Sequence, residues 1–206
     1  MNPSSTASSS PFDLDAVRAG KHKSLAGTDF SGQDLAGADL AQADLTKANL
    51  AGVNLAGANL RYSILRCNLR GAILGGANLA GADFRNAELQ GAVFIEAQFH
   101  STSFAGAFLA GANLSQADLT ATDFRGADLR GADLRGATLE QADLSNANLA
   151  GANFSDANLE EAILTGAIAR GANFTSANLV CVEGEGVVWD GACLDGVASA
   201  GGILDT

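Results

Sequence analysis

Acidic and amide side chains recur every five residues along this chain of 206 residues, and carboxylates in series could bind a metal ion or act as an acid and base pair. His22 and His100 add imidazoles to this inventory, and three cysteines add thiols. Whether any of this chemistry is available depends on the elements that hold these side chains. Two carboxylate series are unbroken: Asp29, Asp34, Asp39 and Asp44, and Asp118, Asp123, Asp128 and Asp133.

A period of five also governs the apolar residues. From Leu25 to Leu179, with one slip, every fifth residue is almost always Leu or Phe, and the residue two before it is usually Ala. We call each such Leu or Phe the centre of a block. Five matches neither the helical period of 3.6 nor the strand period of 2. Asp, Asn and Gly form turns, and a turn in every block predicts a stacked solenoid.

The blocks at residues 38–42, 77–81 and 127–131 read Ala-Asp-Leu-Ala-Gln, Ala-Asn-Leu-Ala-Gly and Ala-Asp-Leu-Arg-Gly. They resemble the repeats of the pentapeptide-repeat family, and the resemblance covers roughly residues 24 to 195. It implies an all-β fold, a right-handed quadrilateral β-helix with four blocks per coil. About eight coils at the strand spacing would give a rod of about 38 Å.

Centres spaced by twenty residues support the four-block coil. Phe84, Phe104 and Phe124 should stack as an interior ladder, and Phe154 and Phe174 should form a second pair. Thr102 and Thr122 should lie one turn apart on the same side, where we expect their hydroxyls to satisfy each other.

Both ends of the solenoid need covers, because the terminal coils leave backbone groups unpaired. Ser10, Pro11 and Asp13 predict a short helix from about Pro11 to Ala19 that lays Leu14 and Val17 over the first coil. The predicted organisation is a Ser-rich tail (1–10), an N-terminal cap helix (11–23), the β-helix (24–195) and a C-terminal cap or tail (196–206). The residues expected to plug the last coil are Val187, Val188, Trp189, Val197, Ile203 and Leu204.

The geometry of the predicted coil argues against a catalytic site or a metal site built from the Asp residues. Each run of four Asp residues falls on four successive faces, so the side chains diverge and cannot surround one ion. We interpret them as turn residues and His100 as a surface histidine. Cys67 reads as a small core residue, and whether Cys181 and Cys193 pair is left open. The sequence therefore predicts no enzyme activity, no metal and no cofactor.

Charge and composition limit the partners. The formal net charge is −11, with 23 acids against 12 bases, which disfavours a direct nucleic-acid ligand. Residues 1–10 carry no basic-then-apolar stretch, so we expect neither a signal peptide nor a membrane span. Three cysteines fit a reducing compartment, and the expected location is the cytoplasm.

The slip in the repeat carries a cluster of basic residues. Leu65 and Leu69 are four residues apart instead of five. The count places Arg66 and Arg85 on one face, one coil apart, and stacked like charges repel by a few tenths of a kcal/mol unless an anion lies between them. The acidic groups of a partner protein could supply this anion. Alternatively, the slip is a tolerated one-residue deletion and the arginines are solvated. The remaining candidate binding residues of this cluster are Arg61, Tyr62 and Arg70.

A second candidate surface is apolar. Ile73 and Val93 occupy positions where the repeat carries Asp or Asn, twenty residues apart, and Ile95 lies beside them. A cluster of this kind rimmed by polar residues often marks an interface, although β-propensity alone would also explain it.

These observations predict a non-enzymatic protein-binding scaffold or regulatory protein that acts through the faces of a rigid β-helix, similar to cyanobacterial pentapeptide-repeat proteins. The alternative, implied by the resemblance, is a DNA mimic that binds DNA gyrase or another topoisomerase and confers quinolone protection. B-DNA of this length would carry roughly 22 charges, twice the net charge found. The sequence does not identify the partner, and a homodimer through the C-terminal end stays open.

Overall fold

Parallel pairing between positions twenty residues apart organises the whole chain. The computed structural model describes residues 13 to 200, in which single-residue bridges join Asp29 to Asn49 and Asp34 to Asn54. Across the slip the spacing falls to nineteen, as between Asn49 and Asn68. Four blocks therefore form each coil, as the spacing of the phenylalanines predicts, and the slip shortens one coil without interrupting the stack.

The coils present four faces, which we number in chain order. Each face is a column of single-residue bridges, and no continuous strand forms in residues 13–200. The columns run from Ser24 to Glu183 (first face), Asp29 to Val188 (second), Asp34 to Cys193 (third) and Asp39 to Ala198 (fourth, interrupted between Gln98 and Asp118). The first face has eight successive bridges. Because four faces enclose each coil, the first and third faces lie on opposite sides.

The core consists of the centres and the small residues two positions before them, nearly all of which are buried. The predicted ladders are confirmed. The rings of Phe84 and Phe104 stack with centroids 4.9 Å apart, and those of Phe104 and Phe124 with centroids 5.2 Å apart. Phe154 and Phe174 stack at 4.8 Å. Alanine at the second inward position leaves room for these large side chains.

The turns explain the frequent glycines. The second residue after each centre has a left-handed backbone, except Cys67 at the slip; examples are φ 65° at Gly126 and φ 57° at Tyr62. This conformation favours glycine because a Cβ atom crowds the backbone there. The residue before the centre closes the turn, since Asp34 Oδ1 accepts the N–H of Ala36 at 3.1 Å.

The single helix of the described residues, α1, spans Leu14–Arg18. It begins later than the predicted start at Pro11, and its N-cap is Asp13, whose side chain accepts the N–H of Asp15. Val17 is buried and Leu14 is partly buried against the core, so α1 covers the first coil. The proposed cap Ser10 lies outside the described residues, and no helix in residues 13–200 has the length and apolarity of a membrane span.

At the C-terminal end, Trp189 packs edge-on against Phe174 with centroids 5.3 Å apart. Val187, Leu194 and Val197 pack partly buried against the core. Val188 does not plug the coil, because it bridges Ile168 on the outward side of the second face. Ile203 and Leu204 lie outside the described residues.

Candidate functional site

Two arginines at the slip share one carboxylate of the chain itself. Arg66 Nε donates to Asp83 Oδ2 at 2.9 Å, and Arg85 Nη2 donates to the same oxygen at 2.8 Å. Arg85 Nε also donates to Asp83 Oδ1 at 2.9 Å. Asp83 thus already lies between the two guanidinium groups, so their stacking does not require a partner's anion, and the prediction that these arginines contact a partner stays a prediction.

The slip itself forms a small polar cavity at the corner after the first face. Cys67 N donates to Leu65 O at 2.8 Å, which tightens the turn by one residue. Burial of the Cys67 side chain, 6% exposed, raises the pKa of its thiol to about 12. The cavity has a volume of about 310 Å³ and is lined by Lys47, Ala48, Asn49, Arg66, Cys67, Asn68, Asn86 and Glu88.

The other basic candidates make separate local contacts. Arg61 Cζ lies 5.5 Å from the ring centroid of Tyr62, whose side chain is 58% exposed. Arg70 Nε lies 3.1 Å from Glu88 Oε2 and donates to Gln90 Oε1 at 3.2 Å. Each of these side chains is thus held by neighbours of its own chain.

The apolar candidates lie on the third face and at its corner with the fourth. Ile73 bridges Val93, and Ile73 and Ile95 are 46% and 47% exposed. We call Ile73, Val93 and Ile95 the aliphatic patch. Because Ile73 and Val93 have no side-chain oxygen, they cannot accept the N–H two residues on, as Asp34 does from Ala36. Asn54 and Asn113 bound the patch in the same column, and the Arg66–Asp83–Arg85 group lies on the opposite side of the rod.

A feature that the sequence analysis missed is a separation of two coils along the fourth face. Elsewhere on this face each centre donates its N–H to the next coil, as Leu79 does to Gln98 O (2.8 Å) and Leu119 to Thr138 O (2.7 Å). Among the fourth-face centres from Leu40 to Leu179, only Phe99 lacks this bond. Gln98 and Asp118, which face each other across the same two coils, do not form a bridge with each other. We call residues 96–102 and the facing residues 115–123 the open seam. The other N–H groups there that lack their inter-coil bonds belong to Glu96, Ser101, Asp118 and Asp123.

Aromatic crowding accounts for the open seam. Every other centre on the fourth face from Leu40 to Leu179 is Leu, and only position 99 is Phe. Its ring lies 5.7 Å from that of Phe94 and 6.1 Å from that of Phe104. Overpacking displaces the backbone when a core cannot expand elsewhere. The lone Phe on this face is therefore the sequence signal that could have located the seam.

The open seam also overturns the expected pairing of Thr102 with Thr122. Thr102 Oγ1 instead donates to Leu79 O at 2.9 Å. The equivalent acceptor for Thr122, twenty residues further on, would be Phe99 O at the seam. Thr122 Oγ1 is buried and has no hydrogen-bond partner.

The carboxylate series are turn residues, as predicted. Each Asp of both series accepts the backbone N–H of the residue two positions on. For Asp123, Asp128 and Asp133 that residue is an arginine, whose side chain donates to the same carboxylate as well. The Arg130 guanidinium holds the pKa of the Asp128 carboxyl below its ordinary value by side-chain hydrogen bonding. In the part of the chain that the structure describes, no group of three His, Cys, Asp or Glu residues could hold a metal ion.

The cysteines near the C-terminal end remain separate thiols. Cys193 Sγ lies 3.3 Å from Thr175 Oγ1 on the third face, whereas Cys181 is exposed at a turn with φ 57°. The open question of their pairing is thus answered in favour of free thiols in this structure.

Sequence comparison supplies the class of protein. The model of the family described as pentapeptide repeats matches eight copies, in residues 24–61, 66–99, 92–131, 127–166 and 152–183. The chain therefore belongs to the pentapeptide-repeat family, whose fold is known as a right-handed β-helix and whose members are in general non-enzymatic repeat scaffolds.

Solved structures of the same family are similar to this chain. HetL, involved in heterocyst differentiation regulation in the cyanobacterium Nostoc sp. strain PCC 7120, is 30% identical over 85% of this chain and 89% of its own, with a TM-score of 0.44. Trypsin-treated QnrB1, a plasmid-mediated fluoroquinolone resistance protein, is 24% identical over 89% of this chain and 86% of its own, with a TM-score of 0.41. Rfr23 from the cyanobacterium Cyanothece 51142 is 25% identical over 71% of this chain and 87% of its own, with a TM-score of 0.23. No curated protein matches the chain in direct sequence comparison.

Proposed function

We propose that this chain is a non-enzymatic cytoplasmic scaffold that binds another protein through the third face of its β-helix. The observation that carries the proposal is the aliphatic patch: Ile73 and Val93 are partly exposed in a column that carries Asp or Asn at every position from 34 to 173 apart from these two, and exposed Ile95 lies at the adjoining corner. An exposed apolar cluster with a polar rim is typical of a protein contact.

The energetics of such a contact are favourable. Covering the exposed halves of Ile73 and Ile95 and the smaller exposed part of Val93 would contribute on the order of 2–3 kcal/mol. The bridge between Ile73 and Val93 holds the backbone beneath them, so little conformational entropy is lost on binding. The patch could therefore act as the central part of a larger interface with a polar rim.

The proposal is tested by affinity capture of partners from lysate with Ile73→Asp and Ile168→Asp. Both substitutions place Asp where the repeat normally carries it, so neither should disturb the coil. Ile168, 36% exposed, lies on the second face and is the matched control. We expect Ile73→Asp to lose the captured partner and Ile168→Asp to retain it. Equal capture by both variants would contradict the proposal.

Topoisomerase mimicry is the second hypothesis. It needs an array of unpaired negative charge, whereas Asp83, Asp123, Asp128 and Asp133 are each paired with an arginine of the chain. This pairing favours the scaffold. A gyrase supercoiling assay with and without a quinolone separates the two: inhibition or drug protection by the protein would support mimicry, and no effect on either would exclude it.

A further inference from the structure

The open seam lies beside the aliphatic patch and carries backbone N–H groups that donate to no backbone acceptor among residues 13–200. We propose that an extended peptide segment of the partner protein enters this seam and pairs with its backbone. The inference rests on the proposed function, because it specifies which part of the partner is bound and how.

The seam offers donors and acceptors of the kind that an extended peptide requires. On one side of the seam, the N–H groups of Phe99 and Ser101 do not form the hydrogen bonds that the repeat would direct to the carbonyls of Asp118 and Thr120. On the other side, the N–H of Asp118 does not reach the carbonyl of Ala97. An extended peptide presents N–H and C=O groups in alternation along both of its edges. Unpaired strand edges bind such segments by adding them as a further strand.

The size of the seam suits a short segment. The cavity at this position has a volume of about 410 Å³ and lies toward the small end of the roughly 300–1,000 Å³ range of ligand pockets. Its lining combines four polar side chains with two alanines and a phenylalanine, and a peptide presents both polar backbone and apolar groups. The lining residues are Ala97, Gln98, Phe99, His100, Asp118, Thr120 and Ala121.

The position of the seam joins it to the aliphatic patch. Ile95 directly precedes Glu96, the first residue of the seam, at the corner where the third face turns into the fourth. A segment that lies in the seam would therefore reach Ile95 with its adjoining residue. We expect a strand-forming sequence with an apolar side chain at that end.

A buried hydroxyl gives independent support. Thr122 Oγ1 has no partner, although the equivalent Thr102 Oγ1 donates to a carbonyl. An unsatisfied buried polar group is unfavourable, so the separation of these coils is maintained at a cost in stability. A peptide carbonyl in the seam would supply acceptors that the chain itself does not provide.

Two matched variants test the proposal. Phe99→Leu restores the residue found at the other centres of the fourth face and should close the seam. Phe154→Leu makes the same change at a centre of the third face that lies outside this aromatic cluster and keeps its inter-coil bond. The probe is a phage-displayed library of random heptapeptides, selected on the wild-type protein, followed by titration of the enriched peptides.

We expect enriched peptides to bind the wild type and Phe154→Leu, and to bind Phe99→Leu at least about tenfold more weakly. In the free wild type, the amides of Phe99 and Ser101 should exchange hydrogen faster than those of Leu79 and Leu119, and peptide should slow them by about tenfold or more. The exchange measurement on the wild type does not depend on the folding of either variant.

Three outcomes would overturn the inference: no enriched peptide, equal binding to Phe99→Leu, or slow exchange at Phe99 in the free protein. If Ile73→Asp lost the partner while Phe99→Leu kept it, the inference would fail and the proposed function would stand. If neither variant affected partner capture, both would fail.

Discussion

Ile73 forms a parallel bridge with Val93, so two branched aliphatic side chains stand one coil apart where the adjoining coils carry Asn54 and Asn113. Side chains on a column of bridges are spaced at the strand repeat of about 4.8 Å, and they cannot move apart without breaking the ladder. The patch is therefore a fixed feature of the rod, and its effect on binding can be separated from its effect on folding.

The phenylalanine ladder should dominate local stability. Phe124 is fully buried and stacks on Phe104, so Phe124→Ala should lower the free energy of unfolding by about 3–5 kcal/mol. Chemical denaturation followed by circular dichroism measures this change. A loss of less than about 1 kcal/mol would show that the ladder contributes little.

Thr122 and Thr102 should respond oppositely to the same substitution. Thr122→Val removes a buried hydroxyl without a partner and should leave stability unchanged or raise it by up to about 1 kcal/mol. Thr102→Val removes the bond to Leu79 O and should cost about 1 kcal/mol or more. Denaturation of the two variants side by side tests this; an equal loss in both would mean that Thr122 has a partner in solution.

Backbone strain at the turns can be measured without steric clashes. A Cβ atom added at Gly126 meets no atom within 4 Å, so Gly126→Ala should cost about 1–2 kcal/mol through the left-handed backbone alone. The reverse change, Ala121→Gly, at φ 54°, should stabilise the fold. Thermal unfolding of both variants provides the comparison, and a shift of the same sign in both would contradict the account of the turn.

Acid should destabilise the coil through Asp128. Its pKa is lowered in the folded state by the Arg130 side chain, so the pair contributes stability above the carboxyl's ordinary pKa of 3.8. That contribution is lost as the pH falls through the lowered value. Arg130→Gln should therefore move the midpoint of acid unfolding to higher pH. Arg61→Gln, which removes a guanidinium that lies over Tyr62, should leave the midpoint in place.

Much of the fold follows from the sequence because the coil is a repeated local rule. The five-residue period places each centre inside, and the spacing of Phe84, Phe104 and Phe124 gives the length of the coil. The predicted start of α1, at Pro11, was less accurate, because both Ser10 and Asp13 are suitable N-cap residues and the helix begins after Asp13.

The sites were harder to predict because they depend on side-chain geometry across coils. The count placed Arg66 beside Arg85, but it did not show that Asp83 would accept hydrogen bonds from both. The open seam depends on how the rings of Phe94, Phe99 and Phe104 share one coil. The repeat pattern accepts either Phe or Leu as a centre, but the larger Phe ring needs more space in the core than Leu does.

The most direct test of the scaffold proposal is photo-crosslinking from the third face in the native host. A photoreactive phenylalanine analogue would replace Ile73 in one protein and Ile168 in another, so that only the face differs. We predict a specific crosslinked protein from position 73 that is absent from position 168. The same crosslinked protein from both positions, or none from position 73, would contradict binding through the aliphatic patch.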